Sequence, residues 1–117
     1  MTKKNKSPFG YLLTDLIKKS GLTQVDFYSQ LEITKPYFYD IISGKSNPPP
    51  PEMQIKIIKI LNLSKEDRES LLTEASIARR EIPADIQIYL KAFPDEIKNI
   101  RNNFNFKQIL EIIKCGG

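Results

Sequence analysis

A chain of 117 residues with 40% hydrophobic and 27% charged content holds enough apolar material for one domain, or for one domain with a helical extension. It has no histidine and a single cysteine, Cys115, so an internal disulfide is impossible, and zinc sites and base-activated nucleophiles lack their ligands and bases. No apolar run approaches the ~20 residues of a membrane span, and the basic start lacks the apolar stretch of a signal peptide; a cytoplasmic protein with no cofactor, no metal site and no catalytic residue is the expectation.

Residues 1–8 read as a flexible basic tail, either a solvated start or an arm that can lie along a nucleic-acid backbone. Phe9 to Ser20 forms a first helix with Leu12, Leu13, Leu16 and Ile17 on its buried face. Lys18 and Lys19 in its last turn suit the helix dipole and can also reach a phosphate; Gly21 stops it. Thr23, with Asp26 three residues on, caps a second helix whose Phe27 and Leu31 share one face. Glu32 and Ile33 make a turn. Thr34 then caps a third helix, in which Pro36 is tolerated because its missing N–H falls in the first turn. Phe38 and Ile41 lie on that helix's buried side, Gly44 ends it, and Lys35, Pro36, Tyr39, Asp40 and Ser43 occupy the opposite face.

Asn47 to Pro51, with four consecutive prolines, is a stiff extended spacer. Pro51 to Leu61 is a fourth helix so apolar that one stripe cannot hold it: Ile57, Ile58 and Leu61 suit the core of the first helices, while Ile55 and Ile60 need a second surface, either the C-terminal extension or another subunit. Ser64 with Asp67 opens a fifth helix to about Arg80, its apolar face Leu71, Leu72, Ala75 and Ala78. Pro83 breaks the chain, and three short helices follow: Asp85 to Phe93, one opened by Pro94, and one capped by Asn105 with Phe106, Ile109, Leu110 and Ile113 on one face. No segment alternates as a strand does. The expected fold is all-α, with seven or eight short helices divided into a tail at 1–8, a domain at 9–80 and a helical extension at 81–117.

The run Gly21-Leu22-Thr23-Gln24, with Phe27, Leu31, Ile33, Thr34, Phe38, Ile41, Gly44-Lys45 and Asn47-Pro48 behind it, resembles the lambda-repressor-like (Cro/repressor, XRE-type) helix-turn-helix family over roughly residues 9–63. Two positions depart from its pattern: Tyr28 stands where a small residue is usual, and Glu32 where glycine is usual, so the turn must take a left-handed backbone or change its form. The resemblance implies a bundle of about five helices with a helical C-terminal extension, and a sequence-specific regulator of transcription, a repressor in type, that inserts helix 34–43 into the major groove of double-stranded DNA. It implies that Gln24 grips the phosphate backbone, that the cap Thr34 is itself among the DNA-binding residues, that Lys35, Pro36, Tyr37 and Asp40 stand at base-reading positions, and that Ser43, Lys45 and Asn47 add backbone contacts. Lys35 can donate to guanine and Asp40 can accept from cytosine or orient Lys35 or Tyr37; Tyr37 and Tyr39 can pack on thymine methyls. It also implies a homodimer, here formed through the segment after Ile82 with Ile55 or Ile60; the alternative use of that segment is intramolecular, as a cap on the domain of a monomer. An antitoxin-type or accessory regulator that binds a protein partner and represses its own operon is the alternative.

The charge distribution agrees with these implications. Up to Leu63 the chain carries nine Lys/Arg against five Asp/Glu, and from Ser64 onward nine against nine. The formal excess of +4 thus sits in the half that carries the motif.

Overall fold

The computed structural model describes residues 5–116. Residues 1–4 and 117 and the side chain of Cys115 lie outside that description, and with them the start of the expected basic tail and the role of Cys115. Among the described residues the chain is all-α, with eight helices: α1 Pro8–Ser20, α2 Gln24–Leu31, α3 Lys35–Ser43, α4 Pro51–Leu61, α5 Lys65–Arg79, α6 Ala84–Ala92, α7 Asp95–Asn102 and α8 Phe106–Gly116.

Local chemistry sets these boundaries. Ser7, Thr23, Thr34 and Ser64 each hold an extended backbone and accept, through the side-chain oxygen, the N–H of the residue three positions on, which satisfies one of the orphan donors at each helix start. Each of α1 to α5 ends on a left-handed residue: Gly21, Glu32, Gly44, Asn62 and Arg80. Glu32 takes φ 63° and ψ 39°, a conformation that costs a non-glycine residue roughly 1–2 kcal/mol. The α2–α3 turn therefore keeps its tight form at some expense in strain.

One core collects the apolar faces of α1 to α5. Phe9, Leu13, Leu16 and Ile17 meet Phe27 and Leu31, Phe38, Ile41 and Ile42, Ile57 and Leu61, and Leu71 and Ala75. At its centre the Phe38 ring lies 5.9 Å from Phe27 and 5.3 Å from Tyr28. The Tyr28 ring, tilted by 41° to that of Phe38, is part of the contact between α2 and α3. The start of α1 is fastened to the end of α3. The Ser7 N–H and hydroxyl both donate to the Ile42 carbonyl, at 3.0 and 3.3 Å, and Gly10 packs so closely on that carbonyl that a Cβ there would collide with it. The basic start is therefore anchored from Ser7, and Pro8 already belongs to α1.

The proline run is extended but is more than a spacer. Pro48 and Pro49 are buried; the Pro49 carbonyl accepts from the buried Gln54 amide at 2.8 Å and the Pro48 carbonyl from Arg79 at 2.9 Å. The lash from Arg79 ties the end of α5 to the loop that follows α3. Two other expectations are corrected. Ala78 is exposed, leaving Leu71, Leu72 and Ala75 as the buried face of α5. Ile60 packs on the main core. The second surface that α4 needs comes from the C-terminal extension, one of its two expected sources: α6 lies against α4 with Ala84 buried.

Beyond α6 the chain leaves the bundle. α7 leans on α6, and α8 makes no extensive contact with any helix. The radius of gyration, 17.0 Å, accordingly exceeds the ~13 Å of a compact chain of this length. No described helix is long and apolar enough to cross a membrane.

Candidate nucleic-acid interface

The outer face of α3 is open. Its inward residues Phe38, Ile41 and Ile42 are buried, and this sets the helix's rotation about its own axis. Thr34, Lys35, Pro36, Tyr39, Ser43, Lys45 and Asn47 are left exposed; Tyr37 and Asp40 are half-buried at the edges. The Thr34 hydroxyl accepts the Tyr37 N–H at 3.3 Å, so its part here is to start the helix. Gly44 (φ 89°) donates to the carbonyls of Asp40 and Ile41, and the Ser46 N–H also bonds to Asp40. That turn holds Lys45 and Asn47 beside the C-terminal end of α3.

Two expected roles look different in three dimensions. The Ser43 hydroxyl donates to the Asp40 carbonyl and accepts the Lys45 N–H, both at 3.3 Å, so it is occupied within the helix end. Asp40 receives no hydrogen bond from Lys35 or Tyr37, and the expected orienting contact is absent among the described residues. Tyr37 turns partly inward and packs on the core.

A contact that local patterns did not signal joins the two helices: the Tyr39 hydroxyl donates to Gln24 Oε1 at 3.3 Å. Tyr39 is itself braced edge-on against Phe38, 5.2 Å between centroids. Gln24, the first residue of α2, is thereby oriented through its oxygen, with its NH2 group left as a donor beside the N-terminal end of that helix.

A third group of residues gathers next to Gln24. Lys6, Thr14, Asp15, Lys18, Leu22 and Gln24 line a cleft of about 310 Å³ between the start of the chain, α1 and α2. Lys6 donates to Thr14 at 3.3 Å and lies over the Tyr11 ring. Of the two lysines at the end of α1, only Lys18 lines this cleft. Lys19 is paired with Asp67 at 2.8 Å, a hydrogen bond and charge that raise its pKa above the ordinary lysine value. In the sequence Lys6 is only one cation of the basic tail, because nothing in its spacing ties it to α1. Lys35, Lys45, Lys6 and Lys18 take part in no ion pair among the described residues, where the ion pairs are Lys19–Asp67 and Arg79–Glu81.

Chemically, the arrangement offers exposed cations and amide donors along one side and an aromatic hydroxyl between them. No group of histidine, cysteine and carboxylate side chains able to hold a metal occurs among the described residues. Comparison with known proteins finds no matching family model, no matching curated protein and no matching solved structure.

Proposed function

We propose that the chain is a sequence-specific, double-stranded-DNA-binding transcriptional regulator of the lambda-repressor-like helix-turn-helix type, with α2 and α3 as the two helices of the motif and α3 as the helix that enters the major groove. The observation that carries this reading is the exposed α3 face, with Lys35 at its N-terminal end and Lys45 beyond its C-terminal end, set next to the Gln24–Lys18–Lys6 group. Base edges present distinct donor and acceptor patterns in the major groove. Lys35 stands where it can donate to guanine, and Tyr39 where its ring can meet a thymine methyl. Phosphates on one flank meet the Gln24 amide, the N-terminal N–H groups of α2, and Lys18; on the other they meet Lys45 and Asn47. Such a protein represses by occupying its site, and it reaches useful affinity as a homodimer on two half-sites about one helical turn apart.

Selection of bound duplexes from a random pool tests the reading, followed by a salt titration on the winner. The expected result is an enriched motif whose affinity falls linearly in log–log form with salt, as counterions are released. A pool that shows no enrichment, or binding indifferent to salt, overturns it.

A further inference from the structure

A second open groove, of about 680 Å³, lies between the first turn of α1 and the outer face of α5, and it shares no lining residue with the cleft beside Gln24. Its two walls differ. Pro8, Tyr11 and Leu12 make the α1 wall, where Tyr11 is 58% exposed. The α5 wall carries Glu66, Glu69 and Glu74. Glu66 suits the helix dipole in the first turn of α5. Glu69 and Glu74 lie beyond that turn, where the dipole gives no reason for a carboxylate. None of the three belongs to an ion pair among the described residues, where the pairs are Lys19–Asp67 and Arg79–Glu81. The Tyr11 ring, for its part, already carries an ammonium: Lys6 Nζ stands 5.6 Å from its centroid, within the range at which a ring face attracts a cation. Both walls therefore favour positive charge, on a chain whose own formal charge is +4, and a phosphate backbone is repelled from this groove.

We propose that the groove docks an extended segment of a partner protein that carries Lys or Arg at alternate positions. Spacing selects that occupant. From Glu66 to Glu74 is about 12 Å along the axis of α5, and three alternate side chains of an extended segment span about 13 Å. Successive side chains of such a segment point to opposite sides. Its cations then meet the carboxylates of α5, while apolar residues between them meet Pro8, Tyr11 and Leu12. An aliphatic polyamine has the charge but lacks the second row of side chains, and leaves the α1 wall unfilled. The proposal stands apart from the DNA reading, because the groove and the cleft beside Gln24 have no lining residue in common.

The probe is a capped, fluorescein-labelled peptide of sequence Lys-Leu-Lys-Leu-Lys, titrated with the full chain and followed by fluorescence anisotropy without DNA. Saturable one-to-one binding that weakens with added salt is expected. Glu69→Gln and Glu74→Gln together are expected to weaken it roughly fivefold, the loss of two solvent-accessible charge pairs, and Tyr11→Ala to weaken it as well. The same residues in the order Lys-Lys-Lys-Leu-Leu are expected to bind several-fold less tightly, since they cannot serve both walls at once. Peptide-induced shifts in the amide NMR spectrum of the wild type, expected at residues 8–12 and 66–74, locate the site whether or not a variant folds. No saturation at millimolar peptide, a folded double variant that binds as well as wild type, equal affinity for the two peptide orders, or shifts centred on another surface would each overturn the proposal. Spermidine binding as tightly as the alternating peptide would also overturn it, by showing that charge alone is read.

Discussion

Tyr39 holds Gln24 by its oxygen at 3.3 Å while its own ring rests edge-on against Phe38. That chain of contacts transmits the position of the core to the first residue of α2. On the DNA-binding reading, Gln24→Ala weakens binding to all duplexes alike, and Tyr39→Phe does the same to a smaller degree, because the amide loses its orienting partner and not its donors. A loss confined to one base step in a binding array would contradict the phosphate role. Lys35→Ala is expected to cost about 1–3 kcal/mol of specific affinity and to relax the preference at one position; an unchanged selected motif would remove Lys35 from base reading.

At the scale of elements, two fastenings aim α3. The first is the seam between α1 and the end of α3, where Ser7 bonds to Ile42 and Gly10 touches the same carbonyl. Gly10→Ala drives a methyl group into backbone that cannot move independently of the core, and overpacking of this kind costs roughly 1–3 kcal/mol; a lower urea midpoint with an unchanged slope is the expected signature. The second is the Arg79 lash on the Pro48 carbonyl, with Glu81 holding the guanidinium at 3.1 Å. Hydrogen bonds from Arg79, then Gln87, hold the Glu81 carboxyl below the ordinary glutamate value. Its folded pKa lies below its unfolded one, so its contribution is present above the ordinary glutamate range and is lost as pH falls through the depressed value. Glu81→Gln is therefore expected to be slightly less stable than wild type at neutral pH, with the difference closing in acid. Denaturation midpoints at both pH values measure it, and a difference that widened in acid would rule the lash out as the cause. Because the pair is exposed, the effect is small.

At the scale of the whole molecule, the chain divides into a packed bundle from α1 to α6 and an arm from α7 to α8. Among the described residues, none of the buried hydrophobic ones lies beyond Ala84. A chain ending at Ala92 is accordingly expected to keep the cooperative thermal transition of the full chain within a few degrees; a lost transition would show that the arm contributes to the core. What the sequence by itself determined is everything with a short range. Hydroxyl caps, left-handed stops and the inward stripes of Phe27, Leu31, Phe38 and Ile41 are set by neighbours three or four positions away, so helix boundaries and the exposed side of α3 were legible. Tertiary packing alone decided what each stripe meets. A helical repeat announces a buried face but not its partner, so the sequence could not show that α6 covers α4 while α8 stays outside. It could not show that Asp67 ties up Lys19 and leaves Lys18 beside Gln24, or that Arg79 grips a proline carbonyl 31 residues away. Those choices depend on distances between segments remote in the chain, and such distances exist only once the core has closed.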